Sequence, residues 1–239
     1  MILSWDVGVY NLAYCVVDKV CDEEDETVYS CYIKRWKILP ICTKEELKKD
    51  KIAVYERIPK ILEEEFYSMQ EFSKITDVLI ENQPCLKNPT MKSIQMMVYS
   101  FFVTNKNHGG KLCSEDNCPV ISNIEFISPM NKLKVYDGPE LECNLKSKYS
   151  RRKKMAILHT KYFMEKYDEE EWAEFFEANK KKNDDLADAY LQALFFISRE
   201  HAKLFKKKRK RRAPKKKTED EAKGKSIDID LDISENVVT

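Results

Sequence analysis

Four carboxylates carry the chemistry this sequence can offer. Asp6 lies inside an almost continuous apolar run from Ile2 to Val17, and burying a lone carboxylate costs several kcal/mol unless a cation or donor answers it. Glu81 ends a second short apolar run, Lys74 to Glu81, just before Pro84. Asp185 and Asp188 open a stretch of strong helix formers from Asn183 to about Leu204, at a spacing that projects both from nearly the same side of a helix. Each has a purely structural explanation. Asp6 could cap the Gly8 to Asn11 turn, and acids in a first turn interact favourably with the helix dipole. As a set they point elsewhere. Carboxylates converging on one point repel one another, and Mg²⁺, or Mn²⁺ in its place, is the usual hard cation that resolves the repulsion. Two such ions about 4 Å apart activate a water and stabilise the leaving oxygen of an in-line phosphodiester displacement. The expected chemistry is that of a metal-dependent nuclease.

The surrounding elements must bring these acids together. Ile2 to Val17 predicts a strand, a turn at Gly8 to Asn11 and a second strand doubling back, and Thr27 to Leu39 predicts a third, giving an antiparallel meander. Thr43 to Glu46 is a capping box, followed by Leu47, Val54, Ile58, Ile61, Leu62 and Phe66 near helical spacing, which predicts one long helix. Lys74 to Glu81 predicts a buried strand stopped at Pro84. A helix is expected over Pro89 to Val103, a strand over Val120 to Ser128, a loop over Met130 to Lys148 and a helix over Ser150 to Tyr167, apolar at Met155, Ile157, Leu158, Tyr162 and Phe163. His159 is expected on the surface of that helix, and Asp168 to Glu177 is expected to form a short amphipathic helix without chemistry.

The chain has 239 residues and a formal charge of +1. About 200 residues suffice for one large core burying roughly 70% of its extended surface. The near-neutral charge averages a basic stretch, Lys206 to Lys217, against an acidic end, Thr218 to Glu235. A folded domain over 1–205 and a disordered basic-then-acidic tail over 206–239 are expected, with a helical extension fraying into solvent as the alternative for the basic run. The basic run reads either as a nonspecific DNA contact or as a nuclear-localisation patch. The chain opens directly into a strand, without a basic leader or a membrane-length apolar run, so it is expected to be intracellular, neither secreted nor membrane-spanning. Eight scattered cysteines without a CxxC motif read as free thiols.

The pattern Asp6-x-Gly8-x-x-Asn11-x-Ala13, the strand end Glu81-x-Gln83-Pro84, the stretch Tyr149-x-x-Arg152-Lys153-Lys154 and the pair in Asp184-Asp185-x-Ala187-Asp188 resemble the poxvirus-type Holliday junction resolvases, viral relatives of bacterial RuvC. The resemblance covers most of residues 1–200 in order, and it is specific as a set. It implies an α/β fold of the RNase H-like type: a mixed five-stranded sheet flanked by helices, working as a homodimer with Mg²⁺ on branched DNA. By the resemblance Asp6, Glu81, Asp185 and Asp188 are metal ligands, with Asp184 the rival of Asp185. A viral origin implies the host cytoplasm, at a viral factory, or the nucleus.

The family site also needs a basic residue, for which Lys154 is the first candidate; Lys153 is the near alternative, with Lys132 or Lys134 behind. Lys146, Lys148, Arg151, Arg152, Lys153 and Lys154 crowd one helix start, where like charges repel and oppose the dipole, so an anionic partner such as the DNA backbone is expected, with Lys132 contributing. Tyr149 and Tyr136 are candidates for stacking on exposed bases. The excursion from Asn105 to Pro119 is expected to be an insertion relative to shorter members. Its His108, Cys113 and Cys118 would make a zinc site only with a fourth ligand such as Cys143, and Gly109-Gly110-Lys111 fails as a phosphate loop because Leu112 follows the lysine. Two other functions compete: an RNase H-like nuclease acting on RNA–DNA hybrid or flaps, and a non-enzymatic architectural protein that binds junctions.

Overall fold

The structure, a computed structural model, describes residues 1–107 and 120–212, with side chains through residue 204. The elements follow in the order β1 (Ile2–Val7), β2 (Asn11–Cys21), β3 (Tyr29–Pro40), α1 (Lys44–Lys49), α2 (Lys51–Phe66), β4 (Asp77–Glu81), α3 (Pro89–Asn107), β5 (Asn123–Ile127), α4 (Lys148–Lys166), α5 (Glu170–Ala178) and α6 (Asn183–Arg212). The strands make one mixed sheet in the order β3-β2-β1-β4-β5. β1 pairs antiparallel with β2 and parallel with β4, β2 pairs antiparallel with β3, and β5 runs parallel to β4. This is the expected RNase H-like architecture, a five-stranded mixed sheet with helices on both faces.

Period-2 alternation sorts the strand residues between two cores. Leu3, Trp5 and Val7 of β1 and Val78 and Ile80 of β4 pack with α2 and α3, together with Phe66, Phe72 and Phe102. Ile2 and Leu79 pack on the opposite face with α4, α5 and α6, where Ala187, Ala189 and Ala193 let α6 lie close against the sheet. The β1–β2 turn needs Gly8. Its N–H donates to Asn11 O at 3.0 Å, and a Cβ there would meet that same oxygen at 2.8 Å.

Several elements differ from expectation. The long helix after the capping box is two helices, because the carboxylate of Asp50 accepts from the N–H groups of Ile52 and Ala53 and starts α2 afresh; the Asp50 backbone is extended at the junction. The residues before β4 form a 3-10 turn, Gln70–Lys74, and the loop after β5 contains another, Lys132–Val135. On α4 the buried stripe is Ala156, His159, Thr160, Phe163 and Met164, so the helix is rotated from the face expected and His159 is buried rather than on the surface. It stacks on Tyr136 with ring centroids 4.1 Å apart. α5 covers the edge strand β3: Glu169 accepts the Ile33 N–H at 2.5 Å and Trp172 Nε1 donates to Ile33 O at 3.0 Å. α6 continues to Arg212, the helical extension that the basic run allowed, since lysine and arginine are good helix formers. The rest of the expected tail, and His108, Cys113, Cys118 and the Gly109 to Lys111 stretch, lie outside the described residues. Cys15, Cys21, Cys31, Cys42, Cys85 and Cys143 are free thiols, and no described helix is long and apolar enough to cross a membrane.

Candidate metal centre

Asp6 and Glu81 reach one point through strand register. Trp5 stands opposite Ile80 in the parallel β1–β4 pair, so the next step puts Asp6 beside Glu81. Both share the face of Ile2 and Leu79, the face against which α6 packs. Asp188 comes down on them from α6. One turn further along the helix, the buried Gln192 side chain donates to Ser4 Oγ at 3.1 Å and Trp5 O at 3.3 Å, fixing the height of α6 over β1. Ligand oxygens of Asp6, Glu81 and Asp188 all lie within 4.8 Å of one another. Beyond the strand ends, the Gln83 side chain donates to Val7 O at 3.3 Å, and Gln95 of α3 accepts the Gln83 N–H at 2.8 Å. The end of β4 is thereby tied to β1 and to α3.

Electrostatics at this point are those of crowded, buried carboxylates with one ammonium among them. Asp6 is raised well above the usual carboxylate range, first by burial, then by the charge of Glu81 and a hydrogen bond with it, and by Asp188. Asp188 is pushed up to about 6 by burial, with Lys132 opposing the shift. Lys132 stands among these acids, ion-paired to Asp188 and 3.7 Å from Glu81 Oε1. Burial alone would lower its pKa, but Asp188, Glu81 and Asp6 together raise it. Hard oxygen donors, buried and mutually repelling, fit a divalent metal ion of the Mg²⁺ or Mn²⁺ type.

Asp184 and Asp185 line the same cleft of about 400 Å³ but stand outside the three-acid group. Asp184 is paired with Lys153, and Asp185 with Lys182 at 3.3 Å. Burial, and then the charge of Asp184, raise the Asp185 carboxyl. Of the basic candidates, Lys132, Arg152 and Lys153 line the cleft. Lys154 does not: it is exposed, one helical step round from Lys153, and its charge acts on Glu177 of α5. Lys148 is exposed at the first turn of α4, and the Arg151 guanidinium is folded back onto Leu145 O at 3.0 Å. Tyr149 lines the cleft, whereas Tyr136 is committed to His159 and donates to Pro139 O at 2.8 Å. Sequence reasoning missed Gln192 and Lys182. Gln192 does leave a signal, a polar residue four after Asp188 in an otherwise apolar helix face.

No protein-family model matches the chain. An uncharacterised protein of Acanthamoeba polyphaga mimivirus is 34% identical over 128 residues, which are 52% of this chain and 29% of that protein, so the match spans under a third of the relative's own length. Among solved structures, the yeast mitochondrial Holliday junction resolvase superposes with a TM-score of 0.54 at 16% identity, covering 88% of this chain and 85% of that one. The fowlpox virus resolvase, solved with its Holliday junction DNA, superposes with a TM-score of 0.46 at 17% identity, covering 82% of this chain and 96% of that one. The overlay on the yeast enzyme, nearly the full length of both chains, shows that this chain has the fold of that resolvase.

Proposed function

We propose that this chain is a metal-dependent endonuclease of viral origin that resolves four-way DNA junctions. The observation that carries the reading is the meeting of Asp6, Glu81 and Asp188 from β1, β4 and α6 within 4.8 Å, with an ammonium, Lys132, among them. Asp6, Glu81 and Asp188, with Asp185 beside them, would hold Mg²⁺, or Mn²⁺ in its place. Bound there, the metal would activate a water and offset charge on the scissile phosphate. Lys132 is the residue we assign to a non-bridging oxygen of that phosphate, where its charge offsets what develops in the transition state. Arg152 and Lys153, on the rim, would hold the neighbouring backbone, and Lys148 would extend the track along α4. Gln192 and Gln83 keep the acids in register.

The fold shared with a Holliday junction resolvase supports a junction as the substrate. Such a junction has approximate two-fold symmetry, and resolving it needs two matched cuts, so two copies of this chain related by a two-fold axis would carry one cut each. The test is cleavage of a labelled four-way junction beside linear duplex and RNA–DNA hybrid, with Mg²⁺ or EDTA, for the wild type and Asp6→Asn. Symmetric nicks on the junction that vanish with EDTA and with Asp6→Asn are expected. Preference for the hybrid would instead make it an RNase H-type enzyme. Metal-independent binding without cutting would leave an architectural protein.

A further inference from the structure

The sheet has two edges, and the fold treats them differently. β3, at one edge, is covered by the start of α5, where Glu169 accepts the Ile33 N–H and Trp172 donates to Ile33 O. β5, at the other, has a neighbouring strand on its inner side only among the described residues. Such an edge presents backbone N–H and C=O groups as a template for a further strand. Register decides what that strand would meet. Ile124 and Phe126 share the face of Val78 and Ile80, toward α3, whereas Asn123 and Glu125 share the face of Leu79, toward α6. On the α3 side Phe126 is 37% exposed, with the Tyr99 ring centroid 5.0 Å from its own and the Lys92 ammonium at 5.3 Å. Lys92, Met96, Tyr99 and Val103 recur at the spacing that keeps them on one side of α3. Met96, 42% exposed, therefore continues this apolar surface along the edge. On the α6 side Arg199 grips Glu125 through two nitrogens, at 2.7 and 2.6 Å, and Lys203 follows one turn later. A sixth strand would have an apolar shelf on one face and cations on the other.

The chain itself holds a segment of that pattern, outside the described residues. Ile227, Ile229, Leu231 and Ile233 alternate with Asp228, Asp230 and Asp232, and a two-residue period puts the apolar set on one face of a strand and the aspartates on the other. The segment can reach the edge. Lys203 and Leu204 line one cleft with Asn123, the first residue of β5, so α6 brings the chain to the start of that strand. The helix then carries it about 12 Å further to Arg212, and residues 213–226 span roughly 45 Å when extended, ample for a return. We propose that Ile227 to Ile233 pairs with β5 as a sixth strand, its apolar side chains under α3 and its aspartates toward Arg199 and Lys203. Main-chain hydrogen bonds would supply the affinity and the two unlike faces the register. The docked segment closes the edge against strands of other chains. This inference stands apart from the nuclease reading.

Amide hydrogen exchange of the full chain tests this, comparing wild type with the double variant Ile229→Asp/Leu231→Asp and with Met96→Glu. The double variant changes only the segment, and Met96 lies outside the buried core. In wild type, amides of residues 227–233 and the outward amides of 123–127 are expected to exchange at least about tenfold more slowly than in either variant. Amides of β1 should be unchanged throughout, and the protection should not depend on protein concentration. A peptide of residues 225–235 added to the double variant should restore protection of 123–127, and a peptide of the same composition in shuffled order should not. Exchange of 227–233 in wild type at the rate of an unpaired peptide overturns the sixth strand. Protection of 227–233 that survives Met96→Glu also overturns it, because the segment then docks elsewhere. Protection of 123–127 that survives the double variant, or that rises with protein concentration, gives the edge to another occupant, such as a second copy, and overturns it too.

Discussion

Lys132 stands where a metal would compete with it. Its ammonium is paired with Asp188 and lies 3.7 Å from Glu81, two of the three acids that converge, while Asp184 and Asp185 each have a separate lysine, Lys153 and Lys182. An ammonium and a divalent cation among these oxygens would repel each other, so on the proposed function a metal held by the acids would compete with Lys132 for Asp188 and Glu81. Lys132→Met is therefore expected to bind Mg²⁺ more tightly by titration calorimetry while cutting junctions about 100-fold more slowly. Weaker metal binding together with lost cleavage would make Lys132 a structural support of the acids. Lys154→Met should lose less cleavage than Lys132→Met, because its side chain lies off the cleft.

At the scale of elements, α4 and α6 are positioned by opposite means. α6 is keyed polar to polar, through Gln192 on Ser4 and Trp5, one turn from Asp188. α4 is keyed by a buried histidine. His159 packs face to face on Tyr136, beside Tyr162 and Phe163, and neither of its ring nitrogens has a hydrogen-bond partner among the described residues. Burial lowers its pKa below the ordinary 6.5. As pH falls below about 6.5 the unfolded chain takes up a proton at this position that the folded chain refuses, so stability is present above that pH and drains away below it. The expected contribution is a slope of up to ~1.4 kcal/mol per pH unit between 6.5 and the lowered folded value. Chemical denaturation of wild type and His159→Phe from pH 7.5 to 5 checks this: the variant should lose less stability across the window. Parallel curves would place the acid sensitivity elsewhere.

For the molecule as a whole, the described residues hold one group of three converging acids, and on the proposed function that would set the stoichiometry. A junction cut symmetrically needs two centres, so cleavage should track a dimer in sedimentation. Doping the wild type with Asp6→Asn should convert paired cuts into single nicks in proportion to mixed dimers. If single nicks dominate with undoped wild type at all concentrations, the two cuts are independent events of a monomer. The centre forms at the end of the middle strand, β1, where its parallel neighbour β4 and α6 each bring one acid, and nowhere else among the described residues do three such ligands meet.

Local pattern was enough for much of this. The apolar runs around Asp6 and Glu81 already placed each acid on a buried strand, while the i, i+3 spacing of Asp185 and Asp188 put both on one side of α6 although only Asp188 joins the three-acid group. Tight turning at Gly8 is equally local. What the pattern could not carry was which side chains from irregular segments fill the remaining space. Lys132 lies on a 3-10 turn with no periodicity to read, and its place among the acids follows from how that turn packs against α6. Lys153 and Lys154 are equivalent in composition, and one helical step, fixed by the packing of α4, decides between them. The same packing buried His159 and turned Met155 partly outward, although apolar spacing favoured the reverse. Sequence periods of 2 and 3.6 determine elements and faces; the occupants of a cleft are settled by contacts between residues far apart in the chain, which only the tertiary structure holds.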